Sequence, residues 1–129
     1  MMERSEAMKQ LGGIFATMLT ADDTVEINES VAACSRVLDA WLPGAKATCL
    51  VDDATGRFAG PVIHVSADHE RALLGSQPYL YASVAVVHQA DGLMRIVKNR
   101  YGYGQGCRIN DLQRLTWLEG RSYSFRDSL

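Results

Sequence analysis

Six residues in the last third of the chain interleave bases with aromatic rings: Arg95, Lys98, Arg100, Tyr101, Tyr103 and Arg108. Single-stranded nucleic acid is bound by this mixture, with rings for bases to stack on and cations to follow the phosphates. No RNP-like aromatic motif accompanies it. In the same stretch Gly102, Gly104 and Gly106 read G-x-G-x-G. Between a strand and a helix, such a loop cradles phosphate on backbone N–H groups. The dinucleotide fingerprint also needs a parallel βαβ unit, whereas this loop follows an antiparallel hairpin pattern. The other reading of the glycines is a connection that uses positive φ angles.

His64, His69 and Glu70 lie close together in HVSADHE. A strand-to-helix corner could converge them on a metal or make either histidine a proton carrier. The H-x4-H spacing matches no familiar structural metal pattern, so capping and surface positions are the expectation, with no metal and no cofactor. Asp52 and Asp53 are adjacent, and neighbouring residues of a strand or turn point apart, so they do not form an acid/base pair. Cys49 sits inside ATCLV, where apolar surroundings raise a thiol pKa and quench its reactivity. No G-x-S-x-G elbow and no Walker loop occurs. No catalytic residue is assigned.

These residues need a scaffold, and 129 residues with 47% apolar side chains can build one domain over 1–129. The three cysteines fit a reducing compartment better than a disulfide framework. No apolar run reaches membrane length, and the first ten residues carry no secretion signal, so a cytoplasmic location is expected. The net charge of −2 gives no general affinity for nucleic acid or anionic membrane. Charge is nevertheless segregated: residues 1–94 carry −6 and residues 95–129 carry +4. Six of the seven bases in that second part are arginine, which suits planar contacts with carboxylate or phosphate.

Residues 5–19 place Met8, Leu11, Phe15 and Met18 at helical spacing, with Gly12-Gly13 in the middle. The two glycines cost up to roughly 2 kcal/mol against alanine, so this helix must dock on its own domain or on a second subunit. Residues 1–20 are therefore read as a docking or dimerisation helix. Asp23 is a cap with Glu26 three residues on, and Ile27, Val31, Cys34, Leu38 and Trp41 form one stripe ended by Pro43-Gly44. Strands are predicted at 47–51 and 57–65 around an Asp-rich turn, with Gly60-Pro61 marking an edge or a bulge. Ser66 caps a short helix at 67–74. A long hairpin follows, 79–87 and 93–97 around Ala90-Asp91-Gly92, apolar on both faces of its first strand and so covered on both sides. Asn110 then caps a helix at 111–119 whose apolar face is Ile109, Leu112, Leu115 and Leu118. The tail is left as an edge strand or a loose end. The order α-α-β-β-α-β-β-α implies an α+β domain with a central, mostly antiparallel sheet of four to five strands and helices packed on it.

The stretch INESVAACSRVLDAWLPGAKATCLVDDATGRF resembles the opening of a GAF domain: amphipathic helix, Pro-Gly corner, apolar strand, acidic-glycine turn. YASVAVVHQADGLMRIV resembles the later GAF hairpin and RINDLQRLTWLEG its closing helix. The same order resembles roadblock-type and profilin-like modules. The resemblance implies a sensor or adaptor of α/β sandwich type and assigns no ligand residues.

The leading expectation is a non-catalytic binding or adaptor module that acts through a protein partner and self-associates as a homodimer through Met8, Leu11, Phe15 and Met18. The second is nucleic-acid or anion binding through the Arg-rich third. The third is a small enzyme that uses His64 or His69.

Overall fold

In a computed structural model, residues 2–74, 83–88, 93–98, 103–108, 114–116 and 122–129 are described. The elements run α1 (Arg4–Thr20), α2 (Thr24–Trp41), β1 (Lys46–Asp52), β2 (Phe58–Val65), α3 (Ala67–Leu74), β3 (Ser83–His88), β4 (Leu93–Lys98), β5 (Tyr103–Arg108), β6 (Arg114–Thr116) and β7 (Ser122–Arg126).

Helix α1 continues through Gly12 and Gly13 because its stripe is buried: Ala7, Met8, Leu11, Phe15 and Met18 all lie in the core. Asp23 caps α2, its carboxylate accepting from the Val25 N–H at 2.9 Å. The α2 stripe of Ile27, Val31, Cys34, Leu38 and Trp41 is buried in full, as its spacing requires. The Met2 N–H donates to the Ala40 carbonyl at 3.0 Å, so the start of α1 lies beside the end of α2 in an antiparallel helical hairpin. Gly44, at φ 88°, then turns the chain toward β1, a conformation that glycine adopts without strain.

Strands β1 and β2 form the predicted hairpin. Asp52 closes its turn from within, with Oδ1 accepting from the Ala54 N–H at 2.9 Å. The register shifts between Leu50 and Val51, leaving one extra residue on β2 next to Gly60-Pro61. The Gly-Pro signal therefore marks a bulge, and the edge alternative is excluded because β2 lies between β1 and β3. Pro61 opposes Cys49 of β1, and the pairing of β2 with β3 begins one residue later, at Val62. The missing proline N–H thus falls just before that ladder starts.

Strand β7 pairs with β1 antiparallel, and the two helices share a core with β1 and β2, giving an α+β architecture. Ala47, Cys49, Val51, Ile63 and Val65 join the helices in one core, while Thr48, Leu50 and Val62 alternate to the other face and are buried as well. Ser66 caps α3 as expected, its hydroxyl accepting from the His69 N–H at 3.3 Å. Helix α3 bridges β2 to β3, which run parallel, and Val86 of β3 is fully buried in the same core as the helices. β3 and β4 pair antiparallel as the predicted hairpin; its turn and residues 79–82 lie outside the described residues.

The C-terminal third departs from expectation. The sheet order is β5-β4-β3-β2-β1-β7-β6, seven strands where four to five were expected. Arg114–Thr116 is a strand paired with β7, within the stretch read as a helix at 111–119; the remainder of that helix lies outside the described residues. The leucine spacing there fits a helix in isolation, but ladder hydrogen bonds to β7 override local periodicity. Tyr103–Arg108 is likewise a strand, which places Gly104 opposite Val97 and Gly106 opposite Arg95. Gly104 and Gly106 are thus ladder residues rather than parts of a phosphate-cradling loop. The tail is ordered as β7, an interior strand between β1 and β6.

Candidate binding clefts

Met8, Leu11, Phe15 and Met18 are no more than 5% exposed and pack inside their own chain. The docking that α1 requires is met by α2 and the sheet. Arg95, Lys98, Tyr103 and Arg108 fall on the paired strands β4 and β5, with Lys98 opposite Tyr103 and Leu93 opposite Arg108. Arg100 and Tyr101 lie outside the described residues, as does Gly102.

The structure separates the two histidines. His64 alternates with core residues Ile63 and Val65, so it faces away from the helices, whereas His69 belongs to α3, whose Leu73 lies in the core on the helical side. The Glu70 side chain is outside what the structure describes. Among the described residues no cluster of three His, Cys, Asp or Glu could hold a metal ion. Asp52 and Asp53 diverge as expected. Asp52 serves its own turn, and Asp53 accepts from the Ser122 hydroxyl at 2.7 Å and the Ser124 hydroxyl at 2.6 Å, stitching the β1–β2 turn to β7. Burial pushes the Cys34 thiol up to about 12. Burial first, and the Asp127 charge second, push Cys49 up to about 11. Neither thiol is a nucleophile near neutral pH.

Among the recesses lined by the described residues, two involve the sheet. The first is a cleft of about 520 Å³ where the α1–α2 corner meets the β1–β2 hairpin. Its size suits an inserted side chain or a small ligand. Phe15, Met18, Ile27, Phe58 and Pro61 supply apolar walls. Asp22 and Arg57, both exposed, bring opposite charges to its lining. Leu129 completes one wall, where Asn28 grips its backbone: Oδ1 accepts from the Leu129 N–H at 2.8 Å and Nδ2 donates to its carbonyl at 3.5 Å. Val25, the large apolar side chain exposed among the described residues at 61%, directly follows cleft residue Thr24.

The second recess surrounds His64. Its Nε2 lies 3.0 Å from Thr48 Oγ1, and its ring meets Phe125 edge-on with centroids 6.2 Å apart. Burial, and then the positive charge of Lys46, lower its pKa to about 4, against a smaller opposing effect of Asp127. The ring is therefore neutral at pH 7. A base of that strength accepts a proton poorly near neutrality, so His64 is not tuned for general acid/base work there.

Neither recess was legible from residue types. Their linings come from three or more chain segments, and none of Asp22, Arg57, Phe58, Lys46 or Arg126 belongs to a recognisable motif. No protein-family model matches the chain, and no curated protein or solved structure is significantly similar to it. Among the described residues no helix is long and apolar enough to cross a membrane.

Proposed function

We propose that the chain is a small non-catalytic binding module of the sensor or adaptor kind, and that its partner is a protein. A short partner segment inserts an apolar side chain into the cleft between the α1–α2 corner and the β1–β2 hairpin. The observation that carries this reading is the apolar cleft flanked by exposed Val25, Asp22 and Arg57. Water in such a cleft is displaced at a gain, and the two charges select a segment with a base on one side of the apolar residue and an acid on the other. Self-association through Met8, Leu11, Phe15 and Met18 is not part of this reading, because those side chains are core.

Selection of a random peptide library on the full chain tests it. The expected result is a shared pattern of an apolar residue beside an acidic one, with Arg57→Glu shifting the preference toward a base. Arg57 is exposed, so the variant keeps the fold. A library that yields no shared pattern, or the same pattern with both chains, overturns the reading.

A second reading, nucleic-acid binding, is favoured by the antiparallel pairing that sets Lys98 directly opposite Tyr103. It requires single-strand binding that weakens steeply with salt and falls in a Lys98→Ala, Arg100→Ala double variant. Salt-independent or absent binding eliminates it.

A further inference from the structure

Among the side chains that α2 buries, Ser30 alone carries a hydroxyl, and it is only 9% exposed. That hydroxyl makes no hydrogen bond to a described residue, although buried hydroxyls are normally paired. Ser30 lines an open groove of about 710 Å³ between α1 and α2, on the solvent side of the helical hairpin. Small residues floor this groove: Gly13 and Ala33, with half-buried Ile14 beside them. An added Cβ at Gly13 would meet nothing within 4 Å. We propose that a second copy of the chain docks here, the two helical hairpins packing face to face as a symmetric dimer with each α2 antiparallel to its partner.

Charge selects this occupant and its orientation. Because α1 and α2 are antiparallel, Lys9 near the start of α1 lies at the same end of the groove as Arg36 near the end of α2. Glu6 shares that end, and its carboxylate already accepts from the Gln10 amide at 3.0 Å. The opposite end carries Glu26 and Glu29. One end is therefore net positive and the other negative, so the groove complements its own reverse. Two symmetric arrangements lay one hairpin on another. The first sets like ends together, with glutamates against glutamates. The second reverses the helices and sets Arg36 against the partner's Glu26 and Glu29. The midpoint between those charges falls between Ser30 and Ala33, which places the small residues on the symmetry axis.

Packing agrees with that axis. Helices approach most closely where their facing side chains are small, and the opposing helix then brings polar groups within reach of the Ser30 hydroxyl. The same approach covers Ile14. Two helices of this length side by side offer a face of about 26 by 20 Å, so a dimer buries about 1,000 Å² in all, near the lower bound for specific association. The dimer is accordingly one that dissociates on dilution. Its face shares no lining residue with the peptide cleft, so the two stand or fall independently.

Sedimentation of the full chain over a wide concentration range tests this. The parent chain should pass from monomer to dimer. Gly13→Gln places a good helix former in space that is open in the single chain, so the circular dichroism should be kept and the dimer lost. A methyl at that position is small enough to be retained, as at Ala33. Arg36→Glu, and separately Glu26→Lys with Glu29→Lys, should each weaken dimerisation about tenfold, because the symmetry repeats every reversed contact. All three side chains are exposed, so these variants keep the fold. Mixed in equal amounts, the two charge variants should dimerise with each other, since each then meets its opposite charge at both ends. A parent chain that stays monomeric throughout overturns the proposal. So does a dimer that survives Gly13→Gln, or a mixture that associates no better than its components.

Discussion

The Ser35 hydroxyl holds both backbone groups of Ala47: Oγ accepts from the Ala47 N–H at 2.9 Å and donates to its carbonyl at 3.1 Å. A side chain of α2 thus takes the place of a neighbouring strand at the start of β1. The reason is visible in β7, whose pairing with β1 extends only as far as Cys49 opposite Arg126. Beyond that point the tail leaves the sheet and reaches Asn28 of α2 instead. Without Ser35, the N–H and C=O of Ala47, a residue only 7% exposed, would lose these partners. Ser35→Ala should therefore cost about 2 kcal/mol in urea unfolding, in line with the penalty for buried unsatisfied backbone. Ser35→Thr, which keeps the hydroxyl, should recover most of it.

Gly13 tests how much of α1 is made by docking. It lies mid-helix, and an added Cβ would meet nothing within 4 Å. Gly13→Ala should stabilise the chain by about 0.5–1 kcal/mol, mainly by restricting the unfolded state. Calorimetry should show the melting temperature rising by about 2–4 °C. An unchanged or lowered melting temperature would mean that this surface of α1 is needed bare.

Phe15 and Met18 distinguish a core stripe from a subunit interface. Phe15→Ala should cost about 3–5 kcal/mol, because a buried ring leaves a cavity. Sedimentation at several concentrations should give the same assembly state for Met18→Ala as for the parent chain. A clean shift to smaller species with stability intact would restore the interface reading.

His64 makes stability depend on acid. Its folded pKa, near 4, lies below the 6.5 of an ordinary histidine, so the unfolded chain takes up the proton first as pH falls. Its contribution is full above about pH 6.5, is lost progressively down to about pH 4, and stays flat below that. The loss is on the order of 2 kcal/mol once solvent screening of this partly exposed ring is allowed for. Urea midpoints measured across this range should fall for the parent chain and change less for His64→Gln. Equal slopes in the two would refute the assignment.

The helical hairpin and the first β-hairpin were readable because their signals are local. Asp23 at a cap, five apolar residues in one α2 stripe and an Asp-rich turn at 52–56 each act within a few residues of themselves. The C-terminal strands were not readable for the opposite reason. Arg114–Thr116 becomes a strand through pairing with Ser122–Ser124, and Tyr103–Arg108 through pairing with β4. A ladder supplied by another segment leaves no trace in the leucine or glycine spacing of the segment that receives it.

By itself the sequence determined the α+β class, the stripes that bury α1 and α2, the buried state of Cys34 and Cys49, and the turn role of Asp52. All of these follow from side-chain periodicity and turn chemistry. Tertiary structure alone decided which residues meet. The bulge beside Gly60-Pro61 moves the β1–β2 register by one residue, so that Lys46 faces His64 rather than Ile63. Because strand side chains alternate faces, that one-residue step puts the histidine over the recess and the isoleucine into the core.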